Sequence, residues 1–246
     1  MRNLGIEVAL ARLDSLRPHE ESIEDRALYV KNSIIRTRVL RKPLLVDKRT
    51  NVILDGAHRH RALRELGITI APVIYVDYLL EEEIMVSRWV RIYVLRDSDK
   101  ILLRRILDHV QSYSCDVIDR SSRNTVSIEL VARRALEAYR VIQEIERDKE
   151  IISSIKEIIF RTNLRRRPLG EKIIAIIPPT LRKEEVIEAA LSEDLLPPKS
   201  TRHITILKKI QIPISIKTLA KLEKNPSTTL RTEIIKTVPE ISIHRR

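Results

Sequence analysis

Apolar and polar positions along the 246-residue chain change rhythm repeatedly between a two-residue and a roughly 3.6-residue period, which predicts a mixed α/β protein. Ile6 to Leu16 alternates as one strand or two short ones, and the turn Arg17-Pro18-His19-Glu20 follows. Ser22 and Asp25 resemble a capping box at the start of a helix with Ala27, Leu28, Ile34 and Ile35 on its apolar side. Pro43 to Val46 and Asn51 to Leu54 read as strands joined by the polar turn Asp47-Lys48-Arg49-Thr50. Ala57 to Leu66 places Ala62, Leu63 and Leu66 on one side of a helix that Gly67 closes, and Pro72 to Val76 is a further strand. Residues 1–80 are thus expected to form one compact unit, with Glu81-Glu82-Glu83 as a boundary or an exposed helix start.

The remainder, 81–246, is expected to be a smaller α/β companion domain. Ser87 to Leu95 reads as a strand that carries the sole tryptophan, Trp89, and Asp97 to Val110 reads as a helix. From Ser127 to Asn163 helical and extended periods fit equally well, so no register is assigned. Arg165-Arg166-Arg167 reads as a solvated loop. Lys172 to Ile177 is a strand, and Thr180 is placed to cap a helix with Glu184 and Glu185 in its first turn and Val186, Ala189 and Ala190 on its buried side. Ile204 to Leu207 reads as a strand, and after residue 210 the chain alternates through Pro213 to Ile216 into a polar tail.

Composition narrows the class. Hydrophobic residues make up 43% and charged residues 33%, as in a globular protein with a full core, while aromatics at 3% leave that core to Ile, Leu and Val. Such an Ile- and charge-rich chain with four glycines suits a hot environment. Subtracting 34 acidic from 46 basic residues gives +12, which favours anionic partners: nucleotides, phosphorylated metabolites or nucleic acid. No membrane-spanning run and no signal-peptide pattern are present, so a cytoplasmic location and no membrane partner are expected. The single Cys115 excludes an intrachain disulfide and a Cys-rich zinc site.

Chemistry concentrates in three stretches. In Asp55-Gly56-Ala57-His58-Arg59 a strand turns into a helix at a glycine, where free helix N–H groups and two cationic side chains can meet a phosphate. An ordinary strand-to-helix connection with a basic first turn reads the same way. Glu20 stands just before a helix, where a carboxylate can act as a base or simply complement the helix dipole. Pro197-Pro198-Lys199-Ser200-Thr201-Arg202-His203 gathers two prolines, two hydroxyls and three potential cations, and the prolines restrict how the loop presents them. His60, His109 and His244 read as ordinary surface or partly buried residues.

Asp-Gly-x-His-Arg after a strand, Pro-His-Glu upstream and Pro-Lys-Ser-Thr-Arg-His far downstream, in that order, resemble the free-serine kinases of the ParB/sulfiredoxin-like superfamily, through about residue 207. The resemblance implies a ParB/sulfiredoxin-like N-terminal domain with the active site between it and the companion. It implies Glu20 as catalytic base, Asp55 as a second catalytic residue and the likeliest protein contact of a magnesium ion, and Gly56, Ala57, His58 and Arg59 as phosphate contacts. It further implies Trp89 as a serine-recognition residue and Lys199, Ser200, Thr201, Arg202 and His203 as a loop closing over serine and phosphate. The expected reaction passes a phosphoryl group from ADP, the first choice for a sequence nearest the archaeal-type members, or from ATP to free L-serine, giving O-phospho-L-serine. Ala57 stands where the family often has a second histidine, so only a backbone donor remains there.

Two relatives define competing readings. Sulfiredoxin chemistry needs a cysteine in the turn, where Ala57 stands. A ParB-like, nucleotide-dependent DNA-binding protein fits the basic charge and the Gly-x-x-Arg pattern, although no helix-turn-helix segment is evident after the first domain. A noncatalytic protein with a nucleotide pocket is a third reading. Neither a Walker A sequence nor a protein-kinase motif set occurs, and His58 and His60 lie on different sides of a helix with no HExxH pattern.

Overall fold

A strand with no exposed position belongs in the interior of a sheet, and Leu44–Asp47 is such a strand. The computed structural model describes residues 7–96, 100–113, 115–119, 125–165, 168, 170–192 and 194–224. They fall into two compact units, one comprising residues up to Met85 with those from Thr205 onward, the other Val86–Ile204.

The first unit runs β1 (Glu7–Arg12), α1 (Glu24–Thr37), β2 (Val39–Leu40), β3 (Leu44–Asp47), β4 (Ile53–Asp55), α2 (Ala57–Glu65) and β5 (Ile70–Val76). Its sheet has the order β1-β5-β3-β4, with β3 parallel to β5 and the other pairs antiparallel. Leu44, Val46, Ile53 and Val73 from the strands pack with Ile34 of α1 and Ala62 and Leu63 of α2. The predicted polar turn between β3 and β4 forms because buried Asp47 accepts hydrogen bonds from the Thr50 amide (2.9 Å), the Thr50 hydroxyl (2.6 Å) and the Tyr78 amide (3.0 Å).

Some local expectations differ. Extended structure ends at Arg12, and Leu13–Ser15 is a 3-10 turn; Ile6 lies outside the described residues. Ala27 and Ile34, seven apart on one helix face, are buried, while Leu28 and Ile35 on the adjacent face are exposed. The Ser22–Asp25 capping box does not form: Ile23 is the N-cap with no side-chain cap. Its amide donates instead to His58 Nε2 (3.2 Å), and the Ser22 hydroxyl accepts from Arg61 (3.3 Å).

The second unit carries β6 (Met85–Ser87), β7 (Val90–Leu95), α3 (Lys100–Gln111), β8 (Cys115–Asp119), β9 (Thr125–Ala132), α4 (Ala135–Arg147), α5 (Lys149–Ser154), β10 (Ile155–Arg161), β11 (Ile173–Ile177), α6 (Lys183–Leu191) and β12 (Arg202–Ile204). Five strands form the sheet β10-β7-β11-β9-β8, and β6 pairs with β12. The expected strand over 87–95 is two strands, and Trp89 lies in the break between them. Strand alternation sends Val90, Ile92 and Val94 to a cluster with Ile173 and Ala175, and the intervening Arg91 and Tyr93 to the opposite face, where Glu146 of α4 meets both. Arg182 rather than Thr180 caps α6, because the Glu185 side chain reaches back to the Arg182 amide (2.9 Å); Val186, Ala189 and Ala190 are buried as expected. Asp97, Arg166 and Arg167 lie outside the described residues.

From Thr205 the chain is part of the first unit again. The expected strand over 204–207 is instead the end of β12 followed by a 3-10 turn, Ile206–Lys209. Then β13 (Ile214–Ser215) pairs with β2, and α7 (Ile216–Lys224), which periodicity did not single out, buries Leu219 in the first core. The contact-based units group 81–85 and 205–224 with the first unit, where the expected division is 1–80 and 81–246. Among the described residues no helix is long and apolar enough to cross a membrane.

Candidate active site

Buried Ile53 and Leu54 carry β4 to its last residue, Asp55, and α2 begins two positions later. The turn between them requires Gly56. Its φ is +110°, a region that L side chains rarely adopt, and a Cβ there would lie 2.5 Å from Leu44 Cδ2 and 2.7 Å from Arg59 Nη2. The helix starts at Ala57, with the His60 amide donating back to the Gly56 carbonyl (2.9 Å). One turn on, Arg59 Nη2 donates to Asp55 Oδ2 at 2.7 Å, the i,i+4 spacing that a helix start allows.

Two further lysines meet this turn. Lys208 Nζ lies 3.1 Å from Asp55 Oδ1, and Lys42 Nζ donates to the Lys208 carbonyl (3.2 Å). Burial alone would push the Asp55 carboxyl up; the Arg59 and Lys208 charges overcome it and hold the group below its ordinary value. Asp55 is therefore ionised at neutral pH. Two cations, Arg59 and Lys208, pair with this one carboxylate, Lys42 lines the same pocket, and Arg59 Nε is buried with no hydrogen-bond partner among the described residues. The same residues, with Leu44, Leu45, Ile74, Leu207 and Ile210, line this small pocket. Neither Lys42 nor Lys208 is among the residues that sequence motifs pick out: Lys208 lies just beyond the downstream motif, in a turn where a strand is expected.

Glu20 is fixed relative to β4 by backbone. Arg17 bridges to Val52, its amide donating to the Asn51 carbonyl and its carbonyl accepting from the Ile53 amide, each at 2.9 Å. Buried His19 donates from Nδ1 to the Ile53 carbonyl (2.8 Å), a direction set by the carbonyl's inability to donate, and its Nε2 lies 3.9 Å from Glu20 Oε2. The Pro-His-Glu turn and Asp55 are thereby tied to one strand. His58 sits on α2 as expected, but its Nε2 accepts from the Ile23 amide, so this nitrogen braces the start of α1. His60 is buried rather than at the surface. It donates to the Leu13 carbonyl (2.8 Å), and burial, aided by the Arg64 charge, pushes its ring below its ordinary value.

In the second unit the predicted loop is assembled. Trp89 Nε1 donates to the Thr201 carbonyl (3.0 Å), and its ring is faced by Lys199 Nζ at 5.4 Å and Arg202 Cζ at 5.7 Å. Lys199 has φ +61°, unusual for a residue with a side chain. The Ser200 hydroxyl donates to the Pro197 carbonyl (2.7 Å). Ser200, Thr201 and His203 are buried, and Lys199 and Arg202 are half-buried. The structure therefore groups Asp55, Gly56, Ala57 and Arg59 around one turn, and Trp89, Lys199, Thr201 and Arg202 around one indole.

The fit of magnesium follows from Asp55. Both its oxygens are engaged by cations, and among the described residues no group of three or more His, Cys, Asp or Glu side chains is arranged to hold a metal. The residues as placed do not fit direct coordination of magnesium by Asp55.

These features define a mixed α/β protein with a glycine turn between strand and helix at its candidate site. The chain belongs to the family of the ParB-like protein of Sulfolobus acidocaldarius, to which it is 30% identical over 199 residues, 77% of this chain and 86% of that protein. It is 22% identical over 233 residues to the ADP-dependent L-serine kinase SerK of Thermococcus kodakarensis, covering 87% of this chain and 93% of the relative. Its identity to the ATP-dependent L-serine kinase of Staphylothermus marinus is 25% over 221 residues, 81% of this chain and 86% of the relative. Among solved structures, a free serine kinase mutant in complex with ADP has a similar fold, with a TM-score of 0.64 at 20% identity, covering 86% of this chain and 93% of that one. No family model matches the chain.

Proposed function

We propose that this protein is an ADP- or ATP-dependent kinase of free L-serine, forming O-phospho-L-serine. The observation that carries the phosphoryl-transfer reading is the Asp55 turn: two cations on one carboxylate, a third cation lining the same pocket and a buried guanidinium N–H lacking an acceptor leave a surplus of positive charge for an anion. Serine as acceptor is supported by the two L-serine kinases that align over most of the chain. One of them is ADP-dependent and the other ATP-dependent, so both donors remain in the reading.

In this reading the N-terminal ParB/sulfiredoxin-like domain binds the donor, through the helix-start amides of Ala57 and His58, the Gly56 turn and the side chains of Arg59 and Lys208. Asp55 holds those two cations in place. Glu20, set on β4 through Arg17 and His19, accepts the proton of the serine hydroxyl as that oxygen attacks phosphorus and the bond to the leaving nucleotide breaks. The companion domain supplies Trp89, Lys199, Thr201, Arg202 and His203 to serine and the product phosphate. Asp55 stays committed to Arg59 and Lys208, and a magnesium ion would supply charge neutralisation on the donor phosphates without direct coordination by Asp55.

The test is an assay of the purified protein with L-serine, magnesium and either nucleotide, with phosphoserine detected directly. Phosphoserine formed with at least one donor is the expected result; none with either, over warm and hot conditions, overturns the reading. The 30% identity to a ParB-like protein favours one second reading, a nucleotide-dependent DNA-binding protein. It predicts DNA binding that weakens steeply with salt and no serine turnover.

A further inference from the structure

The downstream loop is held from beneath by a buried arginine that no motif includes. Arg91 is fully buried on β7; its Nη2 donates to the Pro198 carbonyl at 2.8 Å, and its Nη1 lies 3.5 Å from that of Lys199. Its Nε–H donates to Glu146 Oε1 at 2.8 Å, which also accepts from the Tyr93 hydroxyl at 3.1 Å. The guanidinium lies between the rings of Tyr139 and Phe160, 5.8 and 5.6 Å from their centroids. A planar donor fork clamped in this way reaches two consecutive carbonyls in one orientation, which a lysine ammonium does not reproduce. The loop residue it grips, Lys199, has a positive φ of +61°. One helical turn back from Glu146, Gln143 donates to the Leu195 carbonyl (3.1 Å), so α4 and β7 together fix the loop's backbone from 195 to 199.

We propose that Arg91, oriented by Glu146, is a positioning residue that sets the Pro198–Lys199 backbone and thereby aims Lys199 and Thr201 at the serine substrate. This rests on the serine-kinase reading for the identity of the substrate. The clamp itself has a readout that does not depend on turnover. Trp89 is the sole tryptophan, is bonded to Thr201 and is faced by Lys199, so its fluorescence reports the position of this loop.

The experiment compares the full-length wild type with Arg91→Lys and Glu146→Gln, using steady-state kinetics and acrylamide quenching of Trp89. Glu146→Gln keeps a hydrogen-bonding side chain and serves if Arg91→Lys does not fold. The expected result is a loss of roughly 10- to 100-fold in kcat/KM for serine, with the nucleotide KM within about twofold of wild type and Trp89 more readily quenched. The effect should be larger for Arg91→Lys than for Glu146→Gln. A folded variant with wild-type serine KM and wild-type quenching overturns the proposal, as does a parallel loss in serine and nucleotide parameters. If the wild type makes no phosphoserine, the kinase reading fails by itself, and the quenching comparison still decides whether Arg91 sets the loop.

Discussion

The two groups of residues that the sequence motifs single out, one in each unit, are held by different physics. In the first unit Asp55, Gly56 and Arg59 stand on the end of a strand and the first turn of a helix, and ion pairs that solvent still reaches link them to Lys208. In the second unit the loop from Pro197 to Thr201 has no regular structure of its own. Buried hydrogen bonds from Arg91 and Gln143, with Trp89 over the top, hold it instead. Regular elements let a site be built from neighbours in sequence, whereas a loop needs a scaffold of residues 52 to 112 positions away.

Four substitutions or conditions press on that contrast, the strongest first. Glu20→Gln removes the proposed base and leaves the turn intact, so kcat should fall about 100- to 10,000-fold, with nucleotide binding measured by calorimetry unchanged. Gly56→Ala places a methyl group against Leu44 and Arg59 at positive φ and should cost about 2–4 kcal/mol in urea unfolding; an unchanged midpoint would mean that the glycine turn is not what fixes the first half. Lys208→Met removes one charge from the Asp55 pair. Nucleotide Kd should rise roughly tenfold, while the serine KM and Trp89 fluorescence stay as in the wild type.

The smallest effect is on pH. The Asp55 carboxyl is held below its ordinary value, so its ion pairs stabilise the fold fully above the pH at which a free aspartate titrates. That stabilisation is lost as pH falls through the lower, folded-state value. A series of Tm values against pH should show this acid limb in the wild type and a flatter one in Asp55→Asn, and added salt should weaken the first half more than the buried clamp of the second.

Legibility in the sequence follows the same division. The strand, glycine and helix of 52–66 are local, and the turn is where the spacing places it. Lys208 and Lys42 escape because their relation to Asp55 exists only in three dimensions. Arg91 escapes because within a strand it is one more alternating residue, and its acceptors lie 107 and 108 positions away. The stretch from 127 to 163 gave no preferred period because apolar residues face inward on both β9 and α4, yet α4 carries Gln143 and Glu146. Capping at α1 and α6 was misplaced since the partners are His58, from another helix, and Glu185, from within the helix itself.

Because residues from Thr205 rejoin the unit that begins the chain, that unit is interrupted by an insertion of 86–204. During synthesis its first 85 residues emerge long before Leu219, which completes their core, and Lys208, which meets Asp55. Closing this long loop carries an entropy that grows with the length enclosed, so the inserted unit, if it folds first, shortens the search by fixing its own ends. A nascent chain stalled at Ile204 would present a partial core and an Asp55 lacking one of its two cations. The Asp55 turn therefore becomes complete only after the whole of the inserted unit has been made.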